Sequence, residues 1–420
     1  MCKCAADKTT KTPQFEKKFT LAQYFNSHWD DYVLAPNHFI KPEQYKAVNA
    51  IRLCRTDALG KDIYACKDCG NTIEIRHNCK NRFCPTCSWR DTLKWGDRIF
   101  NSLMAIPHRH VVVTLPHSLN NLVMKNQKDL TSALLEISSN LMKDIILKKF
   151  HLHAGVIAVL HTFGEKKNLH LHVHMIVSWG GVCASTGKLK ALENPYINYN
   201  QLKDSFKNKY LNRIKRFYKK NELVHRFENQ IAFEKFITDL DKQKWILHLE
   251  PPMKTAIQVV NYIGRYSKRA CISEYKITDI QDEFISFKHK DYRELDVNGK
   301  AVEKILTLHY SQFFPLLLQH VPLPYFRLVR YYGAYNSNSI VHKKQLFVNQ
   351  KPEIISNIET EINQKSESII LEIFNDSNQC KNCKGEMIYI QTEVTREFKI
   401  LEIYKKLELL RKNEILKNVA

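Results

Sequence analysis

Three histidines alternate with large apolar residues in the stretch Asn168-Leu169-His170-Leu171-His172-Val173-His174-Met175. A period of two predicts a β-strand, in which residues two apart share a face. His170, His172 and His174 then line one side, and Leu169, Leu171, Val173 and Met175 the other. Neighbouring imidazoles on that side stand about 6–7 Å apart, from a rise of roughly 3.3 Å per residue, so two rings can converge on one metal ion. A solvent-facing stripe on an edge strand has the same spacing. The choice between them depends on what else the chain supplies.

Cysteines come next. Cys66-Lys67-Asp68-Cys69 and Cys84-Pro85-Thr86-Cys87 are two C-x2-C pairs with fourteen residues between them. Each presents two thiolates from a tight knuckle, and the spacing is close to that of a four-cysteine structural zinc site. The expected set is Cys66, Cys69, Cys84 and Cys87, with Cys54, Cys79 and His77 as spare ligands for a second ion or a different choice of four. Basic residues surround the module, and Arg82 is a candidate DNA contact. Far downstream, Cys380-Lys381-Asn382-Cys383 is half a zinc site with no evident second half.

The third chemical pattern lies in residues 254–269, read as a helix. Gln258, Tyr262 and Tyr266 are four apart and share one face, about 5–6 Å between Cβ atoms. Arg265, Lys268 and Arg269 stand nearby as phosphate contacts. Two tyrosines at this spacing are also a common packing pair.

The elements around these residues can be read from periodicity. Two helices open the chain, over residues 19–34 and from Pro42 onward. A strand at 108–116, a long helix over 121–149 and a strand at 154–162 follow. A turn at 163–168 makes the histidine strand the second arm of a hairpin, ended by Gly180-Gly181. A basic amphipathic helix spans 201–220, a strand 244–249, and strands and turns 283–335. A charged helix is expected over 394–417. The fold class is α+β. Residues 1–105 form a helical and zinc-binding region, 106–335 a domain with a central antiparallel sheet, and 336–420 a polar tail.

Composition limits the function classes. The 420 residues carry a formal charge of +21, which favours a polyanionic partner, nucleic acid before membrane. No apolar run approaches the ~20 residues needed to span a bilayer, and the first residues lack a signal-peptide core, so a cytosolic, nucleoid-associated protein is expected. Twelve cysteines in such a protein argue for metal rather than disulfides.

Taken in order, these stretches resemble the transposases of the insertion-sequence-ninety-one family, rolling-circle enzymes of the HUH endonuclease superfamily. The likeness rests on Cys54-Arg55-Thr56-Asp57-Ala58-Leu59-Gly60, the run Cys79 to Cys87, His108 to His117, the cluster His170 to His174, and Gln258 to Tyr266. Two departures are Leu171, where a proline is common, and Phe83, where a histidine is common. The resemblance implies an HUH-type catalytic domain that cleaves and rejoins single-stranded DNA at transposon ends and target through 5′-phosphotyrosine intermediates. It implies Tyr262 and Tyr266 as nucleophiles and Mg²⁺ or Mn²⁺ on His172 and His174, with Gln258 preferred as third ligand and His170 accessory. Imidazoles alone would suit Mn²⁺ or zinc equally. Structural Zn²⁺ belongs to the cysteines. The competing readings are a plasmid relaxase or replication initiator, and a zinc-dependent nucleic-acid-binding protein without catalysis.

Overall fold

Thr20 starts the first helix, α1 (Leu21–Leu34), by accepting the Gln23 N–H, and Leu21, Tyr24, Phe25, Trp29 and Tyr32 form its buried stripe. The computed structural model describes residues 19–36, 39–100, 102–193, 195–253, 258–259, 270–343, 379–380 and 382–393. Pro42 opens α2 (Pro42–Arg52), where its missing N–H costs no helical bond. A hairpin follows, β1 (Lys61–Cys66) and β2 (Thr72–Arg76), and then α3 (Pro85–Phe100).

The next segment runs β3 (His108–Thr114), α4 (Asn120–Lys125), α5 (Gln127–Phe150), β4 (Leu152–His153), β5 (Gly155–Phe163), β6 (Leu169–Ser178), β7 (Gly180–Cys183) and β8 (Leu189–Ala191). After it come α6 (Tyr199–Lys219), α7 (Gln230–Asp241) and β9 (Ile246–Leu249). The described remainder holds β10 (Ile277–Gln281), β11 (Phe284–Leu295), β12 (Ala301–His309), α8 (Tyr310–Leu318), β13 (Val329–Gly333), α9 (Ile340–Lys343) and β14 (Met387–Glu393). The chain is thus α+β, as its patterning predicts.

Five strands in the order β13-β5-β6-β3-β9 form the central sheet, and every neighbouring pair is antiparallel. The period-two pattern divides its faces. Val111, Val113, Val156, Ala158, Leu160, Leu171, Val173 and Met175 point into one core with α5, α6 and α7. The opposite face carries the histidines, and beside them Ile157 and Ile176 pack with Trp95 and Ile99 of α3, with Tyr335 and with Val259. Two glycines end the histidine strand because the backbone passes too close for a side chain: Gly180 has φ +140, and a Cβ there would lie 2.2 Å from the Lys190 carbonyl oxygen.

A separate core joins distant parts of the chain. α1 and α2 pack with Phe83, Cys84 and Cys87, and with Ile285, Phe287, Phe313, Phe314 and Leu317 from β11 and α8. Glu274 is buried between them, accepting the Leu21 N–H at 3.3 Å and the Thr86 hydroxyl at 3.4 Å. The helix α8 corrects the expectation of strands and turns alone over 283–335. Phe313, Phe314, Leu317 and Leu318 recur at helical rather than strand spacing, and Pro315 is tolerated inside this nine-residue helix. The expected helix over 394–417 lies outside the described residues.

Candidate metal centres

The β5–β6 hairpin sets the first site. Its register pairs His161 with His172 and Val159 with His174, and paired residues in an antiparallel ladder share a face. One ring nitrogen from each of His161, His172 and His174 falls within 4.8 Å of the others. His172 and His174 are the expected pair. His161 was missed: the hairpin register shifts by one residue between Phe163 and His161, and only that bulge sets His161 opposite His172.

Neighbours hold these rings in a ligand-ready state. The Nδ1 of His172 lies 2.8 Å from the carbonyl oxygen of His170. A carbonyl only accepts, so Nδ1 carries the proton and Nε2 keeps a lone pair for a metal. His174 Nδ1 lies 2.8 Å from Nε2 of the buried His110 on β3, which can fix its other nitrogen in the same way. Burial pushes His172 and His174 well below the ordinary imidazole range, and His161 nearby adds to the effect. His110 is pushed down to about 4, first by burial and then by His248 and His161. Neutral imidazoles are what a divalent cation needs, and this donor set fits one.

His170 is not part of the triad. Its ring lies 5.0 Å from that of His172 and 5.3 Å from that of His117, and its carbonyl accepts from His172 Nδ1. Gln258 is described, helical and exposed, beside the fully buried Val259. Tyr262, Tyr266, Arg265, Lys268 and Arg269 lie outside the described residues. Arg82 is exposed and lines a groove of about 1100 Å³ with Arg327, Arg330, Tyr331 and Asn336. Tyr331 pairs with Ile157, so the groove borders the histidine side of the sheet.

The cysteines assemble differently from the expected single set. Cys54, Cys79, Cys84 and Cys87 form one tetrad; Cys66 and Cys69 form another with Cys380 and Cys383. Cys66/Cys69 and Cys84/Cys87 therefore do not share a site. The fourteen residues between them include a hairpin arm rather than a simple loop. Five paired residues at about 3.3 Å each carry Cys66 and Cys69 to its tip, roughly 16 Å from its base. At the base, Cys54 meets Cys79, Cys84 and Cys87. The Sγ···Sγ distances there are 3.5 Å (Cys79–Cys87), 3.7 Å (Cys54–Cys87) and 3.8 Å (Cys54–Cys84). Those values exclude disulfides and match the edge of about 3.8 Å of a sulfur tetrahedron around zinc at roughly 2.3 Å. His77 belongs to neither tetrad; its Nδ1 lies 3.0 Å from the Leu59 carbonyl and its Nε2 3.1 Å from Asp62.

Comparison with known proteins decides the family. A model described as "Transposase zinc-binding domain" matches residues 24–115, and one described as "Putative transposase" matches 155–343. The chain is 28% identical over 321 residues to a "Putative transposase y4qJ" of Sinorhizobium fredii, covering 74% of this chain and 79% of that protein. It is 25% identical over 301 residues to the transposase for insertion sequence element IS801 of Pseudomonas savastanoi pv. phaseolicola, covering 69% and 70%. The chain belongs to the IS91 family of transposases. No solved structure matches it. The transposase therefore acts on DNA and carries a zinc-binding domain, to which its cysteine clusters give a physical basis. Among the described residues no helix is long and apolar enough to cross a membrane.

Proposed function

We propose that the transposase cuts and rejoins single-stranded DNA at transposon ends and target, through a tyrosine covalently joined to a 5′-phosphate. One observation carries this reading. Three imidazoles converge on the sheet face against which Val259 packs, and Val259 lies three residues before Tyr262 in a stretch read as one helix. His161, His172 and His174 would hold a divalent cation, Mg²⁺ or Mn²⁺, with Gln258 as a further candidate ligand. Such an ion supplies Lewis-acid polarisation of the scissile phosphate and offsets the charge that builds on it.

The chain's own residues do the rest. A phenol with a pKa near 10 is mostly protonated at neutral pH, so the nucleophile requires nearby positive charge. Arg265, Lys268 and Arg269 supply it in this scheme. As the phenolic oxygen of Tyr262 or Tyr266 bonds to phosphorus, the bond to the 3′-oxygen breaks and a free 3′-hydroxyl departs. The phosphodiester energy is kept in the phosphotyrosine, and attack by a second 3′-hydroxyl restores the DNA and the phenol. Two tyrosines allow two such events in sequence. Arg82, Arg327 and Arg330 offer phosphate contacts along the groove, and Tyr331 a stacking surface for an unpaired base. The relatives are named as a transposase and a putative transposase, which favours this reading over a relaxase, an initiator or a non-catalytic binder.

The test is incubation of the purified transposase with a labelled single-stranded element end and Mn²⁺. A denaturation-resistant protein–DNA adduct is expected, abolished in the His172→Ala variant. An adduct that forms equally well with His172 replaced would contradict the role given to the histidines.

A further inference from the structure

The cysteines at the far end of the chain complete a metal site begun more than three hundred residues earlier. Cys66 Sγ lies 3.4 Å from Cys383 Sγ, Cys69 Sγ 3.6 Å from Cys380 Sγ, and Cys69 and Cys383 are 3.4 Å apart. These distances are far from a disulfide bond and near the edge of a zinc tetrathiolate. The two half-sites also share a backbone design. In each, the residue four after the first cysteine donates its N–H back to that cysteine's carbonyl, Gly70 to Cys66 at 3.1 Å and Lys384 to Cys380 at 2.8 Å. The N–H of each first cysteine is itself donated five residues ahead, Cys66 to Asn71 at 2.9 Å and Cys380 to Gly385 at 2.7 Å. Gly70 and Lys384 hold the same left-handed turn, at φ +70 and +63.

Two knuckles of one construction therefore face each other across a space of zinc's size. The surroundings fit as well. Asn71 Nδ2 points at Cys380 Sγ from 3.8 Å, an outer donor to a thiolate. Gly385 passes so close to the first knuckle that a Cβ would meet Asp68 Oδ2 at 2.0 Å and Cys66 Sγ at 3.1 Å. From this knuckle the chain runs directly into β14, which pairs with β1 from Cys66–Met387 to Lys61–Glu393. The apolar support is thin, limited to Met387, Tyr64 and Ile73 around Cys66 and Cys380. A third strand with so small a core needs another source of stability.

We propose that Cys66, Cys69, Cys380 and Cys383 bind a second structural zinc ion that clasps β14 onto the β1–β2 hairpin. The zinc-binding region is then discontinuous: its first ion is held within residues 54–87, and its second only once the distal knuckle joins. As the ion binds, the four thiols release their protons to solvent and coordinate as thiolates. Closing so long a loop by metal removes much of the freedom of the unfolded chain, so the clasp also ties the two ends of the fold together.

Zinc counting on the full-length protein by native mass spectrometry should give two ions per chain. The Cys380→Ser/Cys383→Ser variant should hold one, and Cys383→His, which keeps a ligand, should restore two. Cys69 and Cys383 are exposed, so burial alone would not shield them from alkylation. In the wild-type protein both should resist iodoacetamide until zinc is stripped, together with Cys66 and Cys380. Amide exchange in β14 should rise in the double-serine variant while β3 and β6 stay protected. The proposal is overturned if the wild-type chain holds a single ion, or if Cys383 alkylates as a free thiol in zinc-loaded protein. It is also overturned if the double-serine variant keeps two ions. Should that variant not fold, the wild-type count and alkylation pattern decide alone.

Discussion

At the scale of single residues, the chemistry depends on which imidazoles meet. His161, His172 and His174 lie within ligand distance of one another, and His110 supports His174. Replacing any of the three with alanine should abolish measurable Mn²⁺ binding by calorimetry at the proposed site. His110→Ala, which removes only support, should weaken it about 10–100-fold. Unchanged Mn²⁺ affinity in His161→Ala would show that the third ligand is elsewhere. Two other histidines make a pH prediction. Burial pushes His108 and His320 down to about 4, and the protein hydrogen-bonds both as neutral rings, His108 to Tyr335 and His320 to Thr162 and the Lys167 carbonyl. In the unfolded chain each takes up a proton near pH 6.5. Their contribution is therefore intact above about pH 6.5 and is lost as pH falls towards 4, by up to roughly 3 kcal/mol each. Thermal melts between pH 7 and pH 4.5 should show this slope, and His320→Gln should flatten it.

At the scale of elements, the sequence is most readable where one period governs both faces. The histidine strand, its hairpin partner and the long helix α5 follow directly from alternation and helical repeats. Register is what escaped: His161 meets His172 only through a bulge beside Phe163, which a regular count from the turn does not contain. The cysteine tetrads escaped for a related reason. Spacing along the chain says nothing of a hairpin that carries one knuckle away from the other. Cysteine arithmetic held a clue, since six thiols between Cys54 and Cys87 exceed one site and the distal pair falls short of one. Aromatic residues in α8 were ambiguous because rings suit strands as well as helices. Phe314 is fully buried and lies against Tyr24, Phe25, Trp29 and Tyr32, with ring centroids 5.0–5.9 Å away. Phe314→Ala should destabilise the protein by about 3–5 kcal/mol in denaturant melts and loosen α1 from α8. Gly180→Val should also destabilise it by about 2 kcal/mol or more, because φ +140 and the Lys190 carbonyl leave no room for a side chain. Wild-type stability in either variant would contradict the packing described.

At the scale of the whole molecule, the two regions matched by the family models are not independent beads. α1 and α2 share a core with β11 and α8, while α3 covers the histidine side of the sheet through Trp95 and Ile99. Trp95 Nε1 donates to the Tyr331 hydroxyl at 2.7 Å, joining the zinc module's helix to the strand that borders the groove. On the proposed function, a groove bordered by both parts would let one DNA end touch both. The formal charge of +21 gives the surface a general attraction for phosphates. Affinity for single strands should therefore fall steeply with salt, and replacing Arg82, Arg327 and Arg330 together should reduce the logarithmic salt slope by about two. An unaltered slope would move the DNA path away from the groove. The covalent step gives the sharpest test of the proposed chemistry. With a single-stranded element end and Mn²⁺, the wild-type transposase should form a 5′-phosphotyrosine adduct that peptide mapping places on Tyr262 or Tyr266. The double Tyr262→Phe/Tyr266→Phe variant should form none. An adduct that persists in that variant, or the absence of any adduct from the wild-type protein across several end sequences, would contradict it.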